Sequence, residues 1–168
     1  MSENMINNNL SETDGIDHYN IWFRGKTVLG RMLSHFYNTP FEHPHYGPFA
    51  SMEGFWHYIK TKPSKNKDEI RTLKEFEAKE FGKKLEGTFC PNFRDKINVG
   101  NYYRIEQNPE LKKLLIESEL PLDHYFLFGP GNVLIRPKGF EWILDGFEEN
   151  RRLFKNGLSP KVIDYGDN

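Results

Sequence analysis

The chain has 168 residues, which is enough for one domain of ordinary size with a single hydrophobic core. Its 23 basic and 24 acidic residues leave a net charge of −1, which excludes a global positive field for non-specific nucleic-acid binding. The single cysteine, Cys90, excludes an intramolecular disulfide and a cysteine zinc cluster. The pattern contains neither a leader segment nor an apolar run of roughly 20 residues, so we expect a cytoplasmic protein without membrane contact.

The first residues of the chain are strongly polar. Residues 1–18 include a run of asparagines and several acidic residues, with few apolar side chains to offset the entropy that ordering costs. They therefore predict a flexible N-terminal segment. Residues 19–168 contain no repeat or linker that would divide them, and we expect them to form one domain.

After residue 18 the predicted elements are mainly helices. Apolar residues recur in several segments at the spacing of one helical face, with charged residues between them. One helix begins with an asparagine cap, Asn108, followed by Pro109 and an early acid, Glu110. Strands are few, so the class is α+β: a predominantly helical domain with a small sheet or hairpin. In chain order the predictions are a strand at 19–23, an ordered loop or short strands at 30–49, helices at 51–60, 66–82, 94–106 and from 109, a hairpin at 124–136, and a helix at 139–155.

The helix at 51–60 carries the most informative pattern in the chain. Glu53, His57 and Lys60 follow one another at intervals of four and three residues, which places a carboxylate, an imidazole and an amine on one helical face. Large apolar residues flank all three and predict burial. Buried ionisable groups are costly unless they are paired or used, so we interpret this face as the lining of a cleft. The alternative is a structural ion pair that holds the helix against the sheet.

Three other motifs do not indicate a functional site. His43 and His45 flank a proline, but neither an HExxH pair nor a cysteine pair accompanies them, so we expect no metal. The Gly-Pro-Gly sequence at 129–131 does not open a helix as a phosphate-binding loop must, and it predicts a turn. Cys90 has no basic residue nearby that would activate its thiol, so we interpret it as a bystander.

Several short motifs, taken in order, resemble the NADAR/YbiA-like family. Residues 33–37 read Leu-Ser-His-Phe-Tyr where the family has a Ser-Asn-Phe segment, and residues 51–60 resemble its Ser-x-Glu helix ending in lysine. Residues 77–83 are similar to the family's alanine-rich segment that closes on a glycine and a basic residue, and 108–111 to the start of its following helix. The resemblance covers roughly residues 19–155 and implies a YbiA-like α+β fold.

The sequence departs from the family pattern in three places. His35 stands where the family has asparagine, and His57 stands where it has a glutamine between the glutamate and the lysine. The second change keeps a hydrogen-bonding side chain and adds a titratable one. The family's Trp-Gly-Asp-Gly loop is replaced by Phe-Gly-Pro-Gly at 128–131 or is missing, so the roles of that tryptophan and aspartate are not carried over.

The resemblance implies hydrolysis of the N-glycosidic bond between ribose and a base, without a metal or a cofactor. We expect the reaction to remove ADP-ribose from ADP-ribosylated guanine in DNA. Departure of the base leaves positive charge on the sugar, and Glu53 would stabilise that charge or activate the attacking water. Lys60 would either form a Schiff base, once burial lowers its pKa, or hold the ribose or a phosphate as a cation.

The expected site draws on four parts of the chain. The resemblance implies ribose-phosphate or adenine contacts at the end of the first strand, and a cleft wall at the Ser-His-Phe segment. Two aromatic residues of the late hairpin are candidates for stacking on a base, although core positions would have the same pattern. The expected catalytic residues are Glu53 and Lys60, and the expected substrate-binding residues are Phe23, Arg24, Gly25, Ser34, His35, Phe36, Trp56, His57, Tyr125 and Phe128.

Two alternatives remain open. The same hydrolysis can act on a riboflavin-pathway or other small nucleotide intermediate, which agrees better with the near-neutral net charge. The chain can instead be a non-catalytic module that binds ADP-ribose or a related nucleotide, which the missing loop favours. In each case the expected partner is an ADP-ribosylated nucleic acid or a nucleotide, and we expect no obligate protein partner.

Overall fold

The computed structural model describes residues 10–166, which form six α-helices, two 3-10 helices and six short strands. The strands pair two by two: β1 with β4 in parallel, β2 with β3 and β5 with β6 antiparallel. The α-helices are α1 (Val28–Leu33), α2 (Met52–Ile59), α3 (Glu75–Lys83), α4 (Phe93–Glu106), α5 (Pro109–Glu117) and α6 (Glu141–Lys155). The 3-10 helices are Leu10–Thr13 and Lys67–Thr72, and the strands are β1 (Tyr19–Asn20), β2 (Phe41–His43), β3 (Gly47–Phe49), β4 (Leu122–Asp123), β5 (Phe126–Phe128) and β6 (Val133–Ile135).

Side-chain caps explain where three of the helices begin. Ser51 precedes α2, and its hydroxyl accepts a hydrogen bond from the Gly54 amide at 3.0 Å. Thr27 caps α1 in the same way, and Asn108 caps α5 directly before Pro109. Each cap satisfies an amide that would otherwise lack a partner, which contributes about 1 kcal/mol. The predicted cap at Asn108 is confirmed.

Two hydrophobic clusters form the core. One lies among α1, α4, α5 and α6, and the other packs α2 against the β2–β3 hairpin and α4. Trp56 and Trp142 pack against both clusters, so the two are continuous. Each fully buried large apolar side chain contributes about 1.5 to 3 kcal/mol by leaving water. The α+β class, the single domain and the predominance of helix are confirmed.

The predicted helix at 66–82 is wrong in one respect, because the structure divides it. The 3-10 helix Lys67–Thr72 and α3 are separated by two extended residues, Leu73 and Lys74, and α3 begins at Glu75 with φ +50°. The reason is tertiary. The Ser51 hydroxyl donates to the Leu73 carbonyl at 2.9 Å, and the Ala50 amide donates to the Arg71 carbonyl at 2.7 Å. Because these two carbonyl oxygens accept hydrogen bonds from the start of α2, they do not accept the backbone hydrogen bonds of a continuous helix.

The early part of the chain also differs from the prediction. Regular strand pairing at 19–23 ends after Asn20, and α1 occupies residues where a loop or short strands were expected. Six residues are too few to display a helical period in the sequence. The β2–β3 hairpin agrees with the short strands expected within 30–49.

Residues 10–18 belong to the folded part of the chain, although the sequence assigned them to the flexible segment; residues 1–9 of that segment lie outside the described residues. The Asp14 carboxylate accepts hydrogen bonds from the Asn20 and Lys26 amides at 2.9 and 2.8 Å. His18 Nε2 is hydrogen-bonded to the Tyr125 hydroxyl at 2.6 Å. These contacts order a polar stretch that has few apolar side chains. None of the helices within residues 10–166 combines the length and apolar character of a membrane span.

Candidate functional site

A cavity of about 310 Å³ lies between the end of α1, the face of α2 that carries Glu53 and His57, α3 and α6. Its wall is mostly apolar and aromatic, and a few polar groups converge on it, as in many small-molecule sites. Its polar lining residues are Ser34, His35, Glu53, His57, Lys79 and His124. Its apolar lining residues are Ile21, Leu33, Phe36, Trp56, Phe140, Ile143, Leu144 and Phe147.

Glu53 is the acid of this cavity. It lies in the first turn of α2 and is only 9% exposed. The positive end of the helix dipole favours a carboxylate at this position. His57, one turn further on, donates from Nε2 to Glu53 Oε1 at 3.1 Å. The predicted side-by-side arrangement of Glu53 and His57 on one helical face is therefore present, and both side chains line the cavity.

Lys60 does not line this cavity, which corrects the expectation of a hollow shared with Glu53. It lines a second hollow of about 450 Å³, and His57 lies between the two. Lys60 is the C-cap of α2, so its backbone has left helical geometry and its side chain leaves the helical stripe. Its Nζ lies 5.4 Å from the centre of the Trp56 ring. Burial lowers the pKa of Lys60, and the Glu53 carboxylate opposes that change.

Lys79 supplies the cation of the cavity, and the sequence did not single it out. It projects from α3, and its Nζ lies 5.9 Å from the centre of the Phe36 ring. In the sequence it belongs to a charged segment that reads as a solvated face. The local signal is its position after the buried Ala78 and three residues before Gly82, where α3 packs against α2.

Two further histidines, His35 and His124, line the cavity. Burial, assisted by the charge of Arg104 and by that of His124 whenever its ring is protonated, holds the pKa of His35 well below its usual range. Burial also lowers the pKa of His124. His124 Nδ1 donates to the Ile21 carbonyl at 2.6 Å, which leaves Nε2 as the acceptor of a neutral ring. Both rings are therefore neutral at pH 7.

The Ser-His-Phe segment lines the cavity. Ser34 is the C-cap of α1, and its hydroxyl accepts a hydrogen bond from the Phe36 amide at 3.3 Å. This contact turns the chain so that the next two side chains reach the cavity. His35 lies 5.8 Å from the Trp56 ring, centre to centre. Ser34, His35, Phe36, Trp56 and His57 therefore share one wall with Glu53.

Phe23, Arg24 and Gly25 lie beside the cavity and not in its lining. Phe23 borders a neighbouring groove of about 350 Å³, which it shares with Phe36 and Phe76. The Arg24 guanidinium lies over the Phe23 ring at 5.1 Å. Gly25 forms a tight turn in which a Cβ would come within 2.7 Å of the Asn20 carbonyl oxygen. Of these three residues, Phe23 and Arg24 can reach only a ligand that extends out of the cavity.

The two aromatic residues expected from the late hairpin do not line the cavity. Tyr125 is 1% exposed, and its hydroxyl is hydrogen-bonded to His18, so its ring is a core residue. Burial raises its pKa. Phe128 is 65% exposed at the end of β5 and lies outside the cavity lining. The sequence pattern does not distinguish such residues from aromatic residues that stack on a base.

Metal-binding geometry is absent from the part of the chain that the structure describes: no three His, Cys, Asp or Glu side chains converge there. His43 and His45 pack instead in an aromatic cluster in which the His45 and Tyr165 rings stack at 4.1 Å.

Comparison with known proteins identifies the fold. No family model matches the chain, and no curated protein matches it. Among solved structures, the NMR structure of the Escherichia coli protein YbiA matches with a TM-score of 0.64 and 16% sequence identity. The match covers 84% of this chain and 86% of the YbiA chain. The chain therefore has a YbiA-like fold, and the function depends on the site.

Proposed function

We propose that this chain is an N-glycosidase that hydrolyses the bond between ribose and a base, with ADP-ribosylated guanine in DNA as its substrate. The observation that carries the proposal is Glu53, a carboxylate 9% exposed in a cavity whose walls are otherwise mostly apolar and aromatic. The YbiA-like fold and the motif resemblance support the same reaction class. A carboxylate in such a place is costly unless chemistry or a partner uses it.

The reaction needs a negative charge near the anomeric carbon. As the base leaves with the electron pair of the C–N bond, positive charge develops on the sugar, and Glu53 stabilises it at short range in a cavity of low dielectric. Glu53 also accepts the proton of the water that attacks the anomeric carbon, and this proton then passes to the nitrogen of the departing base, which regenerates the carboxylate. The hydrogen bond from His57 Nε2 fixes the carboxylate in one orientation for both tasks.

The rest of the cavity suits a nucleoside with a phosphate chain. Trp56 and Phe36 offer aromatic faces for a base, and Lys79 offers a cation within the same cavity. At about 310 Å³ the cavity is at the small end of ligand sites, which span roughly 300 to 1,000 Å³. The reacting ribose and its base occupy it, and the remaining ADP-ribose extends over Phe36 towards Phe23 and Arg24.

Lys60 has a supporting electrostatic role in this proposal. It is separated from the cavity by Trp56 and His57, so an attack on the anomeric carbon would require these side chains to move. Borohydride treatment during turnover, followed by mass analysis, separates the two roles. We expect no covalent adduct, and Lys60→Met lowers the rate without abolishing it. A trapped adduct on Lys60 would restore the nucleophilic role.

The test of the function is incubation with a DNA oligomer that carries ADP-ribosylated guanine, followed by mass analysis of the products. We expect free ADP-ribose and unmodified DNA from the wild-type protein, and no product from Glu53→Gln. Glu149→Gln is the matched control, because Glu149 is an exposed carboxylate paired with Arg152 on α6. The proposal fails if the wild-type protein releases nothing from any ADP-ribosylated substrate, or if Glu53→Gln is as active as Glu149→Gln.

The net charge of −1 favours a second candidate, the same hydrolysis on a small nucleotide. Release from ADP-ribosylated nucleotides but not from the oligomer would select it. The position of Lys60 outside the cavity favours a third, a binding module without turnover. Calorimetric binding of ADP-ribose that is unchanged in Glu53→Gln, without any turnover, would select that one.

A further inference from the structure

Arg104 is a fully buried cation, and it faces the end of α1. It is 0% exposed, and every hydrogen bond that it makes is a donation, because a guanidinium has no acceptor. The carbonyl oxygens at the end of α1 have no helical partners, and Arg104 satisfies them. Its acceptors are the carbonyl oxygens of Met32, Leu33 and Ser34 at 3.0, 2.7 and 3.2 Å, Thr39 Oγ1 at 3.1 Å and Asn101 Oδ1 at 3.2 Å.

The bond to Asn101 sets the direction of a hydrogen-bond chain that ends in the cavity. Because Arg104 Nε donates, Asn101 must present its oxygen to Arg104 and its amide nitrogen to the other side. That nitrogen, Nδ2, lies 3.1 Å from His35 Nε2. An amide nitrogen only donates, so His35 Nε2 must accept and carries no proton. A neutral His35 ring therefore carries its proton on Nδ1.

His35 Nδ1 is the open end of this chain. It has no hydrogen-bond partner within residues 10–166. The structure does not seal this nitrogen from solvent. His35 lines the cavity, so this N–H is available to a ligand there. A protonated Nε2 would point a donor at the Asn101 amide, which also donates. The charged and titratable groups around it are Arg104 and His124, with Glu53, His57 and Lys79 on the same cavity.

We propose that Arg104 and Asn101 are positioning residues that hold His35 as the neutral Nδ1–H tautomer. The cavity then presents a fixed hydrogen-bond donor to an acceptor atom of its substrate: a sugar oxygen, a carbonyl oxygen or an unprotonated ring nitrogen of the base. The identity of the substrate rests on the proposed function, whereas the tautomer does not. The low pKa of His35, caused chiefly by burial, agrees with a ring that stays neutral.

Long-range ¹H–¹⁵N NMR of the ¹⁵N-labelled full chain tests the tautomer without any substrate. At pH 7.5 we expect the His35 ring to show a protonated Nδ1 and an unprotonated Nε2. In Asn101→Asp the donor becomes an acceptor while Oδ1 still accepts from Arg104, so the proton moves to Nε2 or the ring becomes cationic. Asn150→Asp is the control: Asn150 is also buried and donates to the Asn98 carbonyl, at 3.1 Å, but lies outside the cavity lining.

A wild-type His35 protonated on Nε2 overturns the proposal, and this holds even if a variant does not fold. An unchanged tautomer in folded Asn101→Asp overturns it as well. With an active substrate, Asn101→Asp is expected to lower kcat/KM at least about tenfold, and folded Asn150→Asp is expected not to. If no substrate is turned over but the tautomer is Nδ1–H, the proposed function fails and the positioning role stands.

Discussion

The polar residues around the cavity are of two kinds: some face the cavity, and others lie behind these and support them through hydrogen bonds. Glu53, His35 and Lys79 face it, whereas Arg104 and Asn101 support it from below. The two kinds of residue respond differently to substitution. Loss of a facing group removes chemistry from a fold that remains, while loss of Arg104 leaves buried carbonyl oxygens without donors.

Arg104→Met is therefore expected to reduce the free energy of unfolding by about 3 to 5 kcal/mol, since several buried acceptors lose their donor at once. Urea denaturation followed by circular dichroism measures the change. Arg152→Met is the control, because Arg152 forms an exposed pair with Glu149, and it should leave the free energy nearly unchanged. Equal effects in the two variants would contradict the structural role of Arg104. Burial lowers the pKa of Arg104 to about 9, so it remains a cation at neutral pH.

The lowered pKa of His35 makes the stability of the folded protein depend on pH. Its pKa lies well below the ordinary value in the folded protein, so below about pH 6.5 the unfolded chain takes up a proton that the folded chain does not. The free energy of unfolding therefore falls on acidification, by up to about 1.4 kcal/mol per pH unit for this group. Above about pH 6.5 the His35 ring is neutral in both the folded and the unfolded chain, so its pKa shift does not change the free energy of unfolding there.

His35→Gln removes the titrating ring while its side-chain oxygen can still accept from Asn101. Urea titrations between pH 7.5 and 5.5 should give a shallower loss of stability in the variant than in the wild type. His124 contributes in the same direction in both proteins, because burial lowers its pKa too. An unchanged pH slope would mean that His35 titrates normally in the folded state.

At the scale of elements, the contact between α2 and α3 holds the acid of the cavity in place. Gly82 of α3 lies directly against His57 of α2: a Cβ built on Gly82 would come within 2.4 Å of His57 Cγ. An ordinary van der Waals contact needs at least about 3.4 Å, so the His57 ring would have to move. That movement breaks its hydrogen bond to Glu53.

Gly82→Ala should therefore reduce turnover more than stability. Alanine improves helix propensity by about 1 kcal/mol, which offsets part of the packing cost, but nothing restores the orientation of Glu53. We expect kcat to fall at least about tenfold with little change in far-ultraviolet circular dichroism. Gly131→Ala is the control, because the nearest atom to its Cβ would be Val133 Cγ2 at 3.9 Å. Wild-type kcat in Gly82→Ala would show that His57 does not position the acid.

The elements that the sequence predicted well are those with a local cause. Asn108 followed by Pro109 specifies the start of α5 by itself, and the glycine-rich turn specifies the β5–β6 hairpin. The division between Lys67–Thr72 and α3 has a distant cause, because Ser51 and Ala50 take the carbonyl oxygens of Leu73 and Arg71. No pattern within 66–82 contains that information.

The same distinction separates the two halves of the site. Glu53 and His57 are one helical turn apart, so their contact follows from spacing alone, and the structure contains it. The prediction that Lys60 shares the cavity with Glu53 is wrong because α2 ends at Ile59, one residue before Lys60. Lys79 and His124 come from other elements and reach the cavity through tertiary packing. Spacing predicts neighbours on one helix; it does not predict which separate elements meet.

At the scale of the whole molecule, α4 connects the two hydrophobic clusters. Ile97 near its start belongs to the cluster around α2, and Ile105 near its end belongs to the cluster around α1, α5 and α6. The cavity lies where these halves meet, between α2 on one side and α6 on the other. A site built in this way keeps its geometry only if the halves do not unfold independently.

One cooperative unfolding transition is therefore expected, and single core substitutions in either cluster should shift all of it. Ile97→Ala and Leu115→Ala each remove a side chain that is 0% exposed, one in each cluster, and each should cost about 2 to 5 kcal/mol. Tryptophan fluorescence reports on Trp56 and Trp142 at the junction of the clusters and on the half-buried Trp22, and circular dichroism reports on all helices. Coincident urea midpoints for the two probes are expected in the wild type and in both variants. If Ile97→Ala separated the two transitions, the halves would be distinct folding units, and the geometry of the cavity would depend on their docking and not on a shared core.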